Sequence, residues 1–512
     1  MAEVKGHTDT KNVIDELTKP PSTSQVEDAK PVGEAMKVYG EAGHVTYTPE
    51  EGQKVKRKID FILLPMLCGC YILSFLDKTL LNYASIFGIK KALGLEGTDY
   101  SWLGSIFYIG YIIGAMTWAK LAQAFPLKTG KFIAFAVFTW SALILLTPLC
   151  TTFAGIMTVR FILGMFESII GPVFVILTSN WWTRSEQSFR SCVWLSGTPI
   201  GNFLGGLLSY ALGSIETSFP TWKIFFLFFG SISFFYSLVL FYLMPDNQAN
   251  ARWLTEREKS IAIERVRENQ TVSSETKWKW PQFFEVFKDP QTIMFFITAV
   301  GNTMPSTFAS MFSSQIVKGF GFGPLETTLV STLPAATIQM GTFLGFSYLA
   351  SHRQNIRLLL SLIASIPPLI GASLLYVLPL HNQAGRLAGY YLTYTHSMSF
   401  ALSTGLIASN YAGSTKKSTA TAFIYAGWAA GLVAGPQFFL ESQAPNYTLA
   451  FEMLMVCYSL MIIMPVIQFV WYHHENNRRD RLTGSAAEVT PSNIEFTDHT
   501  DFEQWETFRY AM

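Results

Sequence analysis

The feature that most constrains this chain is a series of long apolar blocks without a single charged side chain. They occupy residues 100–119, 132–159, 191–215, 224–245, 358–380 and 453–472. A helix needs about 20 apolar residues to cross the roughly 30 Å of hydrocarbon in a bilayer. Only 14% of the residues are charged, against roughly 25% in soluble domains. The blocks therefore predict an all-α integral membrane protein.

We predict twelve membrane spans, in two groups of six separated by a polar interval. The spans fall at about residues 59–88, 99–124, 131–151, 153–181, 190–212, 222–244, 289–314, 325–349, 357–377, 386–411, 418–438 and 447–471. This pattern divides the chain into an N-terminal tail (1–57), a first half (58–245), a connector (246–288), a second half (289–472) and a C-terminal tail (473–512). The polar composition of the first 47 residues predicts a disordered segment.

Two capping motifs predict where helices begin. Thr48, Pro49 and Glu51 combine a capping hydroxyl, a proline at the first helical position and a capping-box carboxylate. Thr255 and Glu258 repeat the box in the connector, where they predict a charged helix that ends near Arg267.

The distribution of Lys and Arg predicts the orientation, because short cytoplasmic loops are enriched in both. With a cytoplasmic N-terminus, and with the remote tails and Arg160 left aside, few basic residues fall on the outer side: Lys78, Lys90, Lys91, Lys223, Lys318 and Arg386. An even number of spans then places both termini in the cytoplasm. We expect a multi-pass protein of the plasma membrane, with the endoplasmic reticulum membrane as the alternative.

Composition and motifs also exclude several classes of function. The net charge of +1 gives no reason to expect a nucleic acid partner. The five cysteines all fall in apolar blocks, without the spacing of a zinc site or a disulfide framework. No nucleophile elbow, dinucleotide fingerprint or cluster of metal ligands is found, so we expect neither an enzyme nor a bound cofactor or metal.

Ionisable residues inside the spans are the first candidates for function, because a charge at the bilayer centre costs about 2.5–3.5 kcal/mol. Span 1 carries Asp77 and Lys78, and Asn82 shares the helical face of Lys78. Lys78 either binds a substrate carboxylate or reaches the outer head groups. Span 4 carries Arg160 and Glu167 on one face. This pair, bridged directly or through the substrate, either couples a proton to the cargo or forms a structural ion pair.

The second half carries stripes of uncharged polar residues instead. They are Asn302, Ser306, Ser310 and Ser313 in span 7, and His396, Ser399, Ser403 and Asn410 in span 10. The spacing in span 7 predicts a single helical face. Spans 1, 4, 7 and 10 are every third span in chain order and occupy equivalent positions in the repeat, as expected for helices around one cavity. The alternatives are small polar residues that pack helices and a histidine bonded to a neighbouring helix rather than a proton relay.

Short motifs along almost the whole chain resemble those of a known family. They are Phe75-Leu76-Asp77-Lys78, Asn82-Tyr83-Ala84, Tyr100-Ser101-Trp102, Arg160-Phe161-Ile162-Leu163-Gly164, Glu167-Ser168, Trp182-Thr183-Arg184, Pro245-Asp246, Ser409-Asn410, Gly435-Pro436-Gln437 and Phe496-Thr497-Asp498. The chain resembles the fungal allantoate permease family, a branch of the anion:cation symporters in the major facilitator superfamily. The resemblance implies the fold of that superfamily, in which two six-helix halves enclose a central site.

The resemblance also implies proton-coupled uptake of a small anionic nutrient at the fungal cell surface. Taken with the residue patterns, it assigns the substrate to Lys78, Asn82, Arg160, Asn302, His396 and Asn410, and the proton to Glu167 and Asp77. Many relatives have Gly-Asn in span 11, whereas this chain has Gly427-Trp428. We therefore expect a bulky ring to reshape the cavity.

The residue patterns and this resemblance together predict a monomeric symporter for a small organic anion, with membrane lipid, the anion and a proton as its partners. Ureides such as allantoate or ureidosuccinate are the first choice of cargo. The alternatives are nicotinate, another vitamin, a thiamine-related compound or a sulfonate. A different hypothesis is a nutrient sensor that has a transporter fold and does not transport.

Overall fold

The computed structural model describes residues 45–125, 128–270, 278–353, 355–483 and 498–512. Residues 1–44 of the predicted disordered tail, residues 484–497 of the C-terminal tail and the motif residues Phe496 and Thr497 lie outside this part. Every regular element among the described residues is a helix. The predicted all-α fold is confirmed.

The helices of seven residues or more are numbered here in chain order. In the first half they are α1 Pro49–Ile86, α2 Asp99–Ala124, α3 Thr129–Leu146, α4 Phe153–Glu167, α5 Ile170–Trp181, α6 Arg184–Leu195, α7 Gly197–Gly213 and α8 Thr221–Leu243. The connector forms α9 Glu256–Gln270 and α10 Trp280–Lys288. The second half forms α11 Pro290–Thr307, α12 Ser313–Gly319, α13 Pro324–His352, α14 Arg357–Val377, α15 Gln383–Leu392, α16 Ser397–Asn410, α17 Ser414–Ala434 and α18 Thr448–Thr483.

Both predicted capping boxes are confirmed. The N–H of Glu51 donates to Thr48 Oγ1 at 3.3 Å, and the N–H of Thr48 donates to Glu51 Oε2 at 3.0 Å. In the connector, the N–H of Thr255 donates to Glu258 Oε2 at 2.8 Å. Each box satisfies backbone donors that have no partner inside the helix.

Eight stretches in the described part are long and apolar enough to cross a membrane. They are Pro49–Ile86, Asp99–Ala122, Thr129–Leu149, Phe153–Trp181, Thr221–Leu243, Pro324–Ala350, Arg357–Val377 and Thr448–Thr483. Three of the other predicted spans are interrupted: span 5 between α6 and α7, span 7 by a π turn at Phe308–Phe312, and span 10 by a 3-10 turn at Thr393–His396. The fourth, span 11, is formed by the helix α17 and the 3-10 turn Gly435–Phe438 that follows it. Polar residues near the interruptions of spans 7 and 10 bond to other helices, as described below.

Glycines let α2 and α4 approach each other closely. A Cβ atom at Gly110 of α2 would overlap the carbonyl oxygen of Phe161, and one at Gly164 of α4 would overlap that of Phe107. Small residues at such contacts allow helix backbones to touch. This packing places Arg160 of α4 against α2, where its Nε donates to the carbonyl of Leu103.

We call the side where α1 begins and α18 ends the termini face, and the side where α1 and α12 end the far face. Hydrogen bonds between the two halves lie toward the far face. Asn82 Nδ2 donates to Ser313 Oγ at 2.8 Å, and the hydroxyl of Tyr100 donates to the carbonyl of Met311 at 2.9 Å. In α13, residues 331, 332, 335 and 336 are buried, whereas no described side chain from 337 to 349 is. The halves therefore close at the far face and separate toward the termini face.

In each half, an acidic residue at the start of the first span forms an ion pair with a basic residue at the start of the fifth span. Both pairs lie at the termini face. In the first half, Arg190 Nη2 lies 2.7 Å from Asp60 Oδ2. In the second half, Lys416 Nζ lies 2.9 Å from Asp289 Oδ2 and 2.7 Å from Asp501 Oδ1. Asp501 belongs to the C-terminal segment 498–512, which folds back onto this half.

Asp498 anchors the start of the C-terminal segment. Its carboxylate accepts hydrogen bonds from the N–H of Ser414 at 2.6 Å and from the hydroxyl of Ser414 at 3.0 Å, and it pairs with Lys279 Nζ at 3.0 Å. Partial burial raises the pKa of Asp498, but these bonds outweigh it and hold the pKa below its ordinary value. The ionised carboxylate therefore stabilises the docked segment.

Candidate functional site

The structure brings Lys78 of α1 and Glu167 of α4 into direct contact. Lys78 Nζ lies 3.0 Å from Glu167 Oε1. The hydroxyl of Ser74, one turn before Lys78, donates to the same oxygen at 2.5 Å, and Lys78 Nζ donates to Ser74 Oγ at 3.2 Å. The three side chains form one connected polar group inside the apolar first half.

The two charged members of this group differ in exposure. The Glu167 side chain is fully buried, whereas 24% of the Lys78 side chain is exposed. The second oxygen of Glu167, Oε2, has no hydrogen-bond partner among the described residues. A buried carboxylate with an unused oxygen is expensive in a low dielectric, and the arrangement leaves that oxygen able to take a proton. The exposed part of Lys78 can meet an anion.

Arg160 lies two turns before Glu167 on α4, as the spacing predicted, but no direct ion pair between them is found in the described part. Glu167 pairs with Lys78 instead. The Arg160 guanidinium is 4.8 Å from the centre of the Phe107 ring, and its Nε donates to the carbonyl of Leu103 at 3.4 Å. It remains a buried cation, 4% exposed, held against α2.

Asp77 faces a different helix from its neighbour Lys78. The hydroxyl of Ser233 on α8 approaches Asp77 Oδ2 at 3.5 Å, and Oδ1 has no hydrogen-bond partner in the described residues. Asp77 is buried, with 1% exposed. The structure thus places the second predicted acid behind Lys78, between α1 and α8.

Asn82 uses both ends of its amide to join the two halves. Its Nδ2 donates to Ser313 Oγ at 2.8 Å, and its Oδ1 accepts from the N–H of Ser314 at 3.1 Å. Both partners belong to α12. Asn82 therefore lies in the closed far-face joint, one turn beyond Lys78 along α1.

Asn302 and His396 form a second polar group, in the second half. Asn302 Nδ2 donates to the carbonyl of His396 at 3.0 Å, and His396 Nε2 lies 3.2 Å from the hydroxyl of Ser306. His396 Nδ1 lies 2.6 Å from the carbonyl of Thr393. The histidine is buried and bonded at both ring nitrogens.

The single polar face predicted for span 7 is corrected by the structure. A π turn at Phe308–Phe312 interrupts the helix, and a π turn adds a residue to the local repeat. Ser306 consequently faces His396 while Ser313 faces Asn82. The polar residues of span 7 therefore contact two different helices, in spans 10 and 1, and do not form one continuous surface.

Asn410 is not brought together with the other predicted site residues. It lies at the termini-face end of α16, where its Nδ2 donates to the carbonyl of Ala511 at 2.9 Å and its Oδ1 accepts from the N–H of Ala511 at 2.8 Å. Its amide thus binds the C-terminal segment.

Sequence reasoning missed Ser74 and Tyr111. Ser74 precedes Lys78 by four residues, and that spacing places both on one helical face, so the signal was present. Tyr111 lies on α2, with its ring centre 5.4 Å from Lys78 Nζ. This contact is tertiary, and no spacing within the sequence indicates it.

Comparisons with known proteins agree on one family. The model of the Major Facilitator Superfamily matches residues 67–436. An uncharacterized transporter of Schizosaccharomyces pombe is 36% identical over 91% of this chain and 87% of its own length. The allantoate permease of Saccharomyces cerevisiae is 31% identical over 100% of this chain and 96% of its own length.

A solved structure supports the fold. The crystal structure of a D-xylose-proton symporter has a TM-score of 0.60 with this chain, at 10% sequence identity, and the match covers 79% of this chain and 96% of the symporter. At that identity the likeness concerns the fold alone.

Proposed function

The chain belongs to the fungal allantoate permease family of the major facilitator superfamily, and from this premise we propose that it imports a small organic anion together with a proton. It is a multi-pass membrane transporter, not an enzyme. The observation that supports proton-coupled anion transport is the contact of 3.0 Å between Lys78 and the fully buried Glu167.

Charge balance supports the coupling. Lys78 and Arg160 supply two positive charges to the interior of the first half, and Asp77 and Glu167 supply two negative charges when both are ionised. An anion added to this neutral set leaves one uncompensated negative charge in a low dielectric, which is strongly unfavourable. A proton on Glu167 restores neutrality. With both acids ionised before loading, the site takes up one proton for each monovalent anion.

The ion pair also provides the sequence of events. While Glu167 is ionised it holds Lys78 and competes with any anion for the ammonium group. Protonation of Glu167 removes this competitor, and Lys78 can then bind the carboxylate of the substrate with Arg160 as the second cation. Release of the proton on the other side re-forms the pair and expels the anion. Rocking of the two halves would carry the filled or the empty site between the two sides.

The remaining predicted residues take different parts in this proposal. Asp77 is a second candidate for the proton, behind the cation. Asn82 closes the far-face joint, and Asn302 with His396 shapes the wall of the second half. Asn410, bonded to Ala511, is left out of the substrate site.

Ureides are the first candidates for the cargo, because a relative that matches the whole chain is named allantoate permease. Nicotinate, another vitamin, a thiamine-related compound or a sulfonate are the alternatives. We propose that the protein is a monomer of the plasma membrane, with the termini face in the cytoplasm, as the distribution of basic residues indicates.

The test is uptake of labelled ureides, pyridine carboxylates, sulfonates and vitamins by cells that express the protein, at two external pH values. Lys78→Ala and Arg160→Ala should each abolish uptake at unchanged surface expression. Lys91→Ala is the matched control, because Lys91 is exposed shortly after α1. Full uptake by both site variants contradicts the proposed site. Specific binding without any uptake favours the sensor hypothesis.

A further inference from the structure

A row of aromatic rings leads to Lys78 from the second half of the molecule. Lys78 Nζ lies 5.4 Å from the centre of the Tyr111 ring on α2. The Tyr111 ring centre is 6.2 Å from that of Trp428 on α17, and the Trp428 ring centre is 6.4 Å from that of Tyr425. The row therefore crosses from one half to the other beside the proposed anion site.

The exposure of these rings changes along the row. Tyr425 is 48% exposed, and Trp428 and Tyr111 are partly exposed. Rings that only packed the two halves together would be buried on both faces. The row instead presents accessible aromatic surface that ends at a partly exposed ammonium group.

Trp428 is turned toward this row by the packing of its own helix. A Cβ atom at Gly427 would overlap the ring of Phe296, and one at Gly431 would overlap the hydroxyl of Thr303. Both glycines therefore allow α17 to pack closely against α11. Trp428 lies on an adjacent face of α17 and meets Tyr111 of α2. The bulky side chain of Trp428 thus stands next to the residues proposed to bind substrate.

We propose that the substrate is an aromatic carboxylate, whose carboxylate group pairs with Lys78 while its ring stacks on Trp428 and Tyr425. This inference rests on the proposed function, and among its candidates it favours an aromatic carboxylate such as nicotinate over the ureides, which have no aromatic ring. Aromatic side chains attract other flat rings in offset or edge-to-face geometry, and this attraction adds to the free energy gained by burying apolar surface. A saturated ring of similar size gains the burial without this additional term.

The test compares labelled benzoate with labelled cyclohexanecarboxylate, which carry the same charge on rings of similar size. Equilibrium binding of each to the purified full-length protein gives the preference directly. We expect benzoate to bind about tenfold more tightly, as expected for one or two aromatic contacts. Trp428→Leu removes one of the two aromatic contacts, so it should reduce the preference to about threefold and weaken the binding of benzoate more than that of cyclohexanecarboxylate.

Trp102→Leu is the matched control, because Trp102 is a partly exposed tryptophan on α2 outside the row, and it should retain the full preference. Equal binding of the two carboxylates, lost in Lys78→Ala, would overturn the aromatic inference and leave anion binding at Lys78 standing. A preference for benzoate that is undiminished in Trp428→Leu would also overturn it. If neither carboxylate shows binding that depends on Lys78, both the inference and the proposed site fail.

Discussion

Replacing Lys416 by Met should release the C-terminal segment from the second half. Lys416 Nζ lies within 2.9 Å of carboxylate oxygens of Glu285, Asp289 and Asp501. The side chains of Lys416, Asp289 and Asp501 have no exposed surface. The substitution keeps an apolar stem of similar length and leaves two fully buried carboxylates without a cation. Breaking a buried ion pair in this way costs about 3–5 kcal/mol.

Because each 1.4 kcal/mol is a factor of ten in an equilibrium, the undocked population should rise by about 10²- to 4 × 10³-fold. Hydrogen exchange of the amides in residues 498–512 measures this population. The N–H groups of Tyr510 and Ala511 donate to side chains of Asn476 and Asn410, and they lose these acceptors when the segment undocks.

Lys417→Met is the matched control, since Lys417 is the next residue along α17 and is exposed. We expect it to leave exchange in residues 498–512 unchanged. If Lys416→Met alters exchange by less than about threefold, or if both variants behave alike, the buried charge cluster does not hold the segment.

Three further predictions concern other parts of the fold. Asn82→Ala removes two hydrogen bonds of the far-face joint, each worth about 0.5–1.5 kcal/mol, so the joint should open more often. A cysteine placed at the far-face ends of the helices should then react faster with a membrane-impermeant maleimide. An unchanged rate would refute this. The pKa of the Asp498 carboxyl is lowered in the docked segment, so its ionised form stabilises docking at pH values above its unfolded pKa of about 3.9. This contribution is lost as pH falls through the folded pKa. Protection of residues 498–512, corrected for intrinsic exchange rates, should therefore fall below pH about 4, and constant protection would contradict it. Gly164→Ala forces α4 away from α2, which should destabilise the protein by about 1–3 kcal/mol and lower its thermal midpoint. Gly341→Ala, with open space around it, should leave the midpoint unchanged. Equal midpoints for the two variants would count against the close packing.

The features that follow from local chemistry were predictable from the sequence. The apolar blocks indicated the spans because only helices satisfy the backbone within lipid in such a chain. The boxes at Thr48 and Thr255 fixed two helix starts, since the hydrogen bonds in each box join residues three positions apart. The family was also recognisable from motifs distributed along the chain, and the comparisons confirm it.

The features that depend on packing between helices were not predictable. Lys78 and Glu167 are 89 positions apart, and their contact depends on how α1 meets α4. The spacing of Arg160 and Glu167 predicted a bridge made directly or through the substrate, and in the structure the ammonium of Lys78 pairs directly with Glu167. In span 7 a uniform helical period was assumed, and the π turn at Phe308–Phe312 breaks that assumption.

The most direct test of the central claim separates coupled accumulation from exchange in Glu167→Gln. In proteoliposomes with an imposed inward proton gradient, the wild-type protein and the control Glu216→Gln, an exposed glutamate, should accumulate the labelled anion above equilibrium. Glu167→Gln should keep exchange of the anion and lose accumulation, because its neutral amide leaves Lys78 free for the anion and carries no transferable proton. Accumulation by Glu167→Gln at the wild-type level would contradict the coupling of the proton to the Lys78–Glu167 pair.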